Sequence, residues 1–211
     1  MNADRNRTQR TEDRGQRSGF TLIELLVVIA IIGILTALVM GLLPRAANAK
    51  VRARVKAELA QLETAVESYK EKRGFYPPDN PKDAGANSLY YELSGTTFSP
   101  AKGIYTILSD AGSSITAASV STAFGAGGIV NSTADEAKNF YPALKASQAR
   151  DMKVNGVMVK VLGIAVKGPT GDFCPWFYNS STPAHNPNGY DLWVDVILNG
   201  QTKRFGNWKE D

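Results

Sequence analysis

The sequence predicts an α+β protein in which one long N-terminal helix packs on a small antiparallel β-sheet. Residues 20–43 form a nearly continuous apolar run, and apolar residues then recur at helical spacing from Val51 to Tyr69. Segments with period-2 alternation flank an Asn-Gly dipeptide at positions 199–200. We therefore expect a helix with a membrane-spanning first half and an amphipathic second half, followed by the sheet.

Composition excludes several functional classes. The chain has 211 residues and a net charge of +4, with no basic stripe interleaved with aromatic residues, so nucleic acid is not an expected partner. Its one cysteine, Cys174, cannot form an internal disulfide. Its one histidine, His185, argues against a histidine-rich metal site, and we expect no metal and no other cofactor.

The N-terminal region combines a polar segment with a long apolar run. Residues 1–19 carry five arginines against three acidic residues, a composition that cannot bury a core. The next 24 residues contain one charged side chain, Glu24. As a helix they would reach about 36 Å, enough to cross about 30 Å of hydrocarbon.

Three interpretations of this region compete. A secretory signal peptide could be cut at Ala47-Asn48-Ala49, leaving Lys50 as the mature N-terminus, but the apolar run exceeds the usual length of about 7–15 residues. A plain membrane anchor leaves Glu24 unexplained, because a charge in lipid is costly and is normally kept for a function. The third interpretation depends on the sequence Gly-Phe-Thr-Leu-Ile-Glu at positions 19–24.

That stretch, after a basic leader and before a long apolar run, resembles the prepilin cleavage and methylation site of type IV pilins and type II secretion pseudopilins. The resemblance implies that a membrane peptidase cuts after Gly19 and methylates the new amine of Phe20. Residues 1–19 would be a cleaved cytoplasmic leader, and residues 20–43 a single transmembrane helix of the inner membrane that later forms the filament core. Residues 44–211 would be a periplasmic pilin-like domain. Because both flanks of the span are basic, this orientation follows from the resemblance and not from charge.

The position of Glu24 suits assembly. Cleavage would free a positive amine on Phe20, one helical turn away, and Glu24 could pair with that amine or with the amine of a neighbouring subunit. Such a pair, withdrawn from water, would fix the offset between subunits. The alternative is that Glu24 extends to the lipid headgroups.

Beyond the span, the helix is expected to continue to about Arg73. Pro44 either kinks the helix or marks its passage from lipid to water, and Gly74 followed by Pro77-Pro78 ends it. Its charges are sorted along the chain, basic at positions 50–56 and acidic from Glu58 to Glu71. They form either a solvated face or bands that meet between stacked subunits. The apolar stripe consists of Val51, Val55, Leu59, Leu62, Val66 and Tyr69.

The rest of the domain divides into a region with few structural signals and a region with clear strand signals. Residues 79–150 form a variable region, in which the Gly-, Ala-, Ser- and Thr-rich stretch 111–133 predicts a loop. Residues 154–208 predict the β-sheet, with a strand within 157–166 and a hairpin that turns at Asn199-Gly200.

The C-terminal part also resembles a known family, the major pseudopilins of type II secretion. The resemblance rests on Gly74-Phe75-Tyr76-Pro77 and on Asp172, Trp176, Tyr178, Tyr190-Asp191-Leu192 and Asn207-Trp208 in order. The acid-rich loop that binds calcium in that family is missing, so the calcium site is not carried over, although Asp191 and Asp195 share a strand face and could contribute oxygens. Cys174 and His185 lie in a proline-rich loop without an orienting third group, so we expect no catalytic residues and no enzyme.

Together these features predict a structural subunit of a helical filament, the pseudopilus of a type II protein secretion system. The alternatives are a type IV pilus subunit and a minor pilin or adhesin whose aromatic C-terminal loop binds a ligand at a filament tip. The resemblance implies four kinds of partner: a prepilin peptidase and methyltransferase, copies of the chain and other pseudopilins, an inner-membrane assembly platform, and membrane lipid.

Overall fold

The structure is a computed structural model that describes residues 19–133 and 135–209, with the side chains of residues 39–45 excepted. The chain divides into two compact units, Met1–Arg45 and Ala46–Asp211. One helix, α1, contributes to both units, and each unit is described by itself.

Helix α1 runs from Leu22 to Arg73, close to the predicted bounds, and its helical assignment continues through Pro44. It ends because Gly74 adopts a φ of +84°, a conformation that suits glycine, and donates its N–H to the Lys70 carbonyl at 2.7 Å. The prediction that Gly74 caps this helix is confirmed.

In the first unit, the large apolar side chains from Phe20 to Leu38 are exposed. Over the part of the chain that the structure describes, no helix is long and apolar enough to cross a membrane. The transmembrane segment 20–43 stays a prediction.

The core of the second unit includes the α1 stripe. The stripe residues from Val55 to Tyr69 are buried, and Val51 packs partly buried against them. They belong to the same hydrophobic cluster as residues of the short helix α2 (Leu89–Ser94) and of the strands. Burying each such side chain contributes about 1.5–3 kcal/mol, so this stripe is a principal source of stability for the unit.

Within the described residues, the strands form three separate three-stranded antiparallel sheets, where the sequence predicted one small sheet. The predicted sheet region 154–208 is also too short, because the first strand of the second sheet begins at Ala149. The first sheet contains β1 (Thr96–Ser99), β2 (Ile104–Ile107) and β3 (Asp110–Thr116). The second contains β4 (Ala149–Val154), β5 (Val157–Ile164) and β6 (Cys174–Pro175). The third contains β7 (Phe177–Asn179), β8 (Asp191–Leu198) and β9 (Gln201–Gly206).

The prediction of a loop for residues 111–133 is wrong for much of this segment. Strand β3 is followed directly by helix α3 (Ala117–Phe124), which buries Val120 and Phe124. The Thr116 hydroxyl accepts the Ser119 N–H at 3.0 Å and caps the helix. The composition is typical of loops, but the i,i+4 spacing of Val120 and Phe124 places both on one buried helical face.

Two Asn-Gly turns set the register of the second and third sheets. Asn199 and Gly200 have φ values of +53° and +75°, and they join β8 to β9 as predicted. Asn155 and Gly156, at +48° and +88°, make the same kind of turn between β4 and β5. This second turn is not among the predictions made from the sequence, although the dipeptide is the same.

A buried carboxylate connects α1, α2 and the segment after α3. Glu92 on α2 is fully buried, and its Oε2 accepts the Tyr69 hydroxyl and the Asn131 N–H, each at 3.0 Å. Its Oε1 accepts the Val130 N–H at 2.8 Å. Burial raises the pKa of Glu92 above its ordinary value, and the donated hydrogen bonds only partly oppose that effect.

We expect Glu92→Gln to destabilise the second unit and to change how its stability depends on pH. The amide nitrogen cannot accept a hydrogen bond, so one buried donor loses its partner at a cost of about 1–3 kcal/mol. Because the folded pKa of Glu92 is raised, its contribution is most favourable below the ordinary value of 4.5 and is lost as pH rises toward the folded pKa. The variant should therefore show a flatter dependence of the free energy of unfolding on pH between 4.5 and the folded pKa of Glu92.

Urea unfolding of the detergent-solubilised full chain, followed by tryptophan fluorescence, measures this effect. Tyr69→Phe is the matched control, since it removes one hydrogen bond and keeps the carboxylate. Equal pH slopes for Glu92→Gln and the unaltered chain would contradict the assignment.

Candidate processing and assembly site

Glu24 and Thr21 form a reciprocal cap at the start of α1. The Thr21 N–H and the Thr21 hydroxyl both donate to Glu24 Oε2, at 2.8 and 2.7 Å. The Glu24 N–H donates back to Thr21 Oγ1 at 3.3 Å. This is a capping box, in which a threonine and a glutamate three residues later satisfy each other's backbone donors.

This cap is not among the predictions made from the sequence, although Ser/Thr-x-x-Glu before a hydrophobic run is itself a signal for a helix start. The cap uses Oε2 alone, and the hydrogen bonds of the described residues leave Oε1 for another donor. The expected partner is the amine of Phe20, which exists only after cleavage, so that pairing stays a prediction.

The Gly19–Phe20 bond lies just outside the helix. Neither residue is helical, and the Phe20 side chain is 80% exposed. A Cβ added at Gly19 would meet no atom within 4 Å, and no positive φ requires a glycine there. The fold of this chain therefore gives no local reason for a glycine at this position, and its recognition by a peptidase stays a prediction.

The helix that follows is apolar on every described face. From Leu22 to Leu38, each large hydrophobic side chain is at least 43% exposed. A helix that is hydrophobic all round is stable only where lipid or other helices cover it. Gly33 lies within this surface, with nothing within 4 Å of an added Cβ.

The aromatic residues of the C-terminal region are mostly core residues. Trp176, Tyr178 and Tyr190 are buried, and the Tyr178 hydroxyl donates to the Pro77 carbonyl at 2.9 Å. These three side chains are therefore not available to hold a ligand at a filament tip. Tyr178, through Pro77, and Tyr190, through its ring contact with Tyr76, connect the C-terminal region to the turn that follows α1.

Asp191 and Asp195 do not form one oxygen site, because each has its own protein donors. Asp191 accepts the backbone N–H groups of three consecutive residues, 184–186, at 2.7–3.0 Å. Burial raises the pKa of this carboxyl, but the hydrogen bonds outweigh burial and bring the pKa below its ordinary value. Asp195 forms a bidentate pair with Arg204 at 2.8 and 2.9 Å. Among the described residues, no group of three or more potential metal-binding side chains was found.

Cys174 and His185 have separate structural surroundings. The Cys174 side chain is buried, and burial raises the pKa of its thiol to about 11, so the thiol is protonated at neutral pH. The His185 ring stacks on Trp208 with ring centroids 3.9 Å apart, and its Nδ1 lies 3.2 Å from Asp191 Oδ2. A protonated buried thiol is a poor nucleophile, and this geometry supplies no base for it.

Comparison with known protein families identifies the N-terminal region. Residues 14–40 match the prokaryotic N-terminal methylation motif, the signature of type IV pilins and pseudopilins. The N-terminal resemblance seen in the sequence is therefore confirmed, whereas the similarity of the C-terminal part to major pseudopilins stays a prediction. No curated protein and no solved structure gives a significant match to the chain.

We expect Gly19→Ala to block cleavage without affecting the fold. An added methyl group meets nothing within 4 Å in this structure, so any loss must arise where a peptidase holds the residue. Immunoblotting of membranes from cells that contain a prepilin peptidase separates the uncleaved chain from the chain shortened by its leader. Gly33→Ala is the matched control, since that methyl group also meets nothing and lies away from the bond. Normal cleavage of Gly19→Ala would exclude recognition of this glycine.

Proposed function

We propose that this chain is a structural subunit of a helical filament, the pseudopilus of a type II protein secretion system. A prepilin peptidase removes the leader, and the mature chain assembles through its N-terminal helix. The observation that carries this proposal is the matched motif, in which an exposed Gly19–Phe20 bond precedes a helix that starts with the Thr21–Glu24 cap and exposes apolar side chains from Leu22 to Leu38.

Processing creates the charge that assembly uses. Hydrolysis of the Gly19–Phe20 amide leaves a carboxylate on Gly19 and an ammonium group on Phe20. A sulfonium methyl donor then transfers its methyl group to the deprotonated amine and leaves as a thioether. The resulting N-methyl amine is protonated at neutral pH, so the positive charge remains. The Oε1 atom of Glu24 takes no part in the cap. It then accepts a charge-assisted hydrogen bond from the ammonium group of its own chain or of a neighbouring subunit.

The exposed apolar helix explains the two locations of the subunit. Before assembly it lies in the inner membrane as a single span, with the leader in the cytoplasm and residues 44–211 in the periplasm. In the filament, other subunits' helices replace lipid on the same surface, and the assembly platform moves the helix from one environment to the other. Pairing Glu24 with an ammonium group lowers the cost of keeping a carboxylate in both.

The choice of a secretion pseudopilus rests on the C-terminal residues. The order of Trp176, Tyr178 and Tyr190-Asp191-Leu192 supports it, and the burial of Trp176, Tyr178 and Tyr190 disfavours a ligand-gripping tip protein. The raised pKa of the buried Cys174 thiol supports a structural role over a catalytic one.

We expect the mature chain to begin with an N-methylated Phe20. Mass spectrometry of the N-terminal peptide from the membrane-extracted protein measures this directly. A peptide that starts at Phe20 with one extra methyl group supports the prepilin pathway. A start at Lys50 would establish a secretory signal peptide, and an intact Met1 would establish an unprocessed anchor; either result overturns the proposal.

We expect Glu24→Gln to be processed normally but to lose filaments and secretion of folded proteins by at least about tenfold, as removal of one buried charge partner implies. The amide oxygen can still accept both Thr21 donors, so the variant isolates the loss of charge from the loss of the cap. Thr21→Ser is the control that keeps both the hydroxyl and the charge. Unchanged filaments in Glu24→Gln would contradict the ion pair, and loss of surface pili with normal secretion would favour the type IV pilus instead.

A further inference from the structure

A small pocket lies in the second unit, between α2, the start of β3 and the segment that leads to β4. Its volume is about 340 Å³, at the lower end of the range that small-molecule sites occupy in proteins. The apolar part of its wall includes Pro142, Leu144 and Ala149. The pocket is formed by residues outside 14–40, so the matched motif assigns no role to it.

The segment that forms this wall is anchored to two helices. The Phe140 N–H donates to the Leu93 carbonyl on α2 at 2.8 Å. The Tyr141 hydroxyl donates to Gln61 Oε1 on α1 at 3.1 Å and accepts Gln148 Nε2 at 2.9 Å. Because these contacts fix the wall within the chain itself, a ligand would enter a pocket that is already formed and would lose little affinity in ordering it.

Three hydrogen-bond donors of this pocket have no acceptor among the described residues. Tyr90 is only 6% exposed, yet its hydroxyl makes no hydrogen bond to them and is not fully enclosed. Asn139 accepts the Tyr141 N–H through Oδ1 at 2.9 Å, which leaves Nδ2 unused. Lys145 takes part in none of the ion pairs that the described residues form. All three donors line the same pocket.

The charges around the pocket favour an anion. Two lysines, Lys145 and Lys160, line it together with one carboxylate, that of Asp110. Asp110 accepts a hydroxyl and a backbone N–H from the turn that follows it, so its oxygens already have donors. Lys160 Nζ lies 3.2 Å from a carboxylate oxygen of Asp151. Lys145 is therefore the cation whose charge is left for a ligand.

The Tyr90 hydroxyl acts as a donor at neutral pH. Burial raises the pKa of Tyr90 above its ordinary value, and the negative charges of Asp110 and Asp151 raise it further. The hydroxyl therefore keeps its proton, and a buried donor without a partner is costly. An acceptor in the pocket would remove that cost.

We propose that this pocket binds a carboxylate that is attached to a small apolar group. The two carboxylate oxygens offer about four acceptor positions, enough for the Tyr90 hydroxyl, the Asn139 amide and the Lys145 ammonium group. The apolar group lies against Leu144 and Ala149. The end of a peptide and a free short-chain acid share this chemistry.

Isothermal titration calorimetry of the detergent-solubilised full chain tests the ligand class. Acetyl-alanyl-alanine carries a carboxylate at a peptide end, its amide has the same shape without the charge, and butyrate is a free short-chain acid. We expect the acid form of the dipeptide to bind at least about tenfold more tightly than the amide, since charge-assisted hydrogen bonds are stronger than neutral ones. Tighter binding of the dipeptide than of butyrate identifies a peptide end as the source, and the reverse order identifies a free acid.

Two variants test the assignment of the pocket. Tyr90→Phe and Lys145→Gln each remove one donor, and each should weaken binding of the preferred acid at least about tenfold. Tyr90→Phe should leave the free energy of unfolding unchanged, because the hydroxyl makes no hydrogen bond within the described residues, so misfolding does not explain a lost affinity. Lys102→Gln is the matched control, since Lys102 is exposed in the turn between β1 and β2 and does not line the pocket.

Three results would overturn the proposal. Equal affinity for the acid and amide forms of the dipeptide excludes recognition of a carboxylate, and a lack of saturable binding by both acids excludes the ligand class. Unchanged affinity in Tyr90→Phe or in Lys145→Gln places the ligand elsewhere. The inference is independent of the filament function, so a chain that forms no filaments but binds the acid refutes that function alone.

Discussion

The burial of one face of α1 is the interaction on which the second unit depends. Val55, Leu62, Val66 and Tyr69 are almost completely removed from solvent, and α2 and the strands pack in the same core. Buried hydrogen bonds then fix the relative positions of side chains and backbone segments that apolar packing alone does not determine. Glu92 gives the Tyr69 hydroxyl a buried partner and holds the backbone of Val130 and Asn131 against it. Because α1 provides this surface, its opposite face remains open to charged contacts with other molecules.

What the sequence could predict follows from how local each signal is. The end of α1 at Gly74 and the Asn199-Gly200 turn were predictable, because each depends on the backbone preference of one or two residues. The division into three sheets and the strand and helix within 111–133 depend on long-range pairing and tertiary burial, such as that of Ile115 and Phe124, which composition does not encode.

In the candidate site, too, the residues identified by a local motif were predictable and those that depend on long-range contacts were not. Gly19, Phe20 and Glu24 could be identified from the spacing of a short motif, and the capping box was available from the same residues. The separation of Asp191 from Asp195 was not predictable, because it depends on which donors reach each carboxylate. Residues 184–186 turn their N–H groups toward Asp191, and strand β9 brings Arg204 opposite Asp195.

The capping box gives Glu24 a different role before and after cleavage. In the precursor, the carboxylate is stabilised by the Thr21 donors and by the positive end of the helix dipole, so the charge is tolerated without a partner. Cleavage adds an ammonium group one turn away, and the fixed orientation of Glu24 means that little side-chain entropy is lost when the two groups pair. In the proposed filament, a neighbouring subunit would therefore meet a carboxylate that is already oriented, and only cleaved chains would supply the charge that completes the pair. In the proposed function, removal of the leader would therefore be the event that makes the chain competent to assemble.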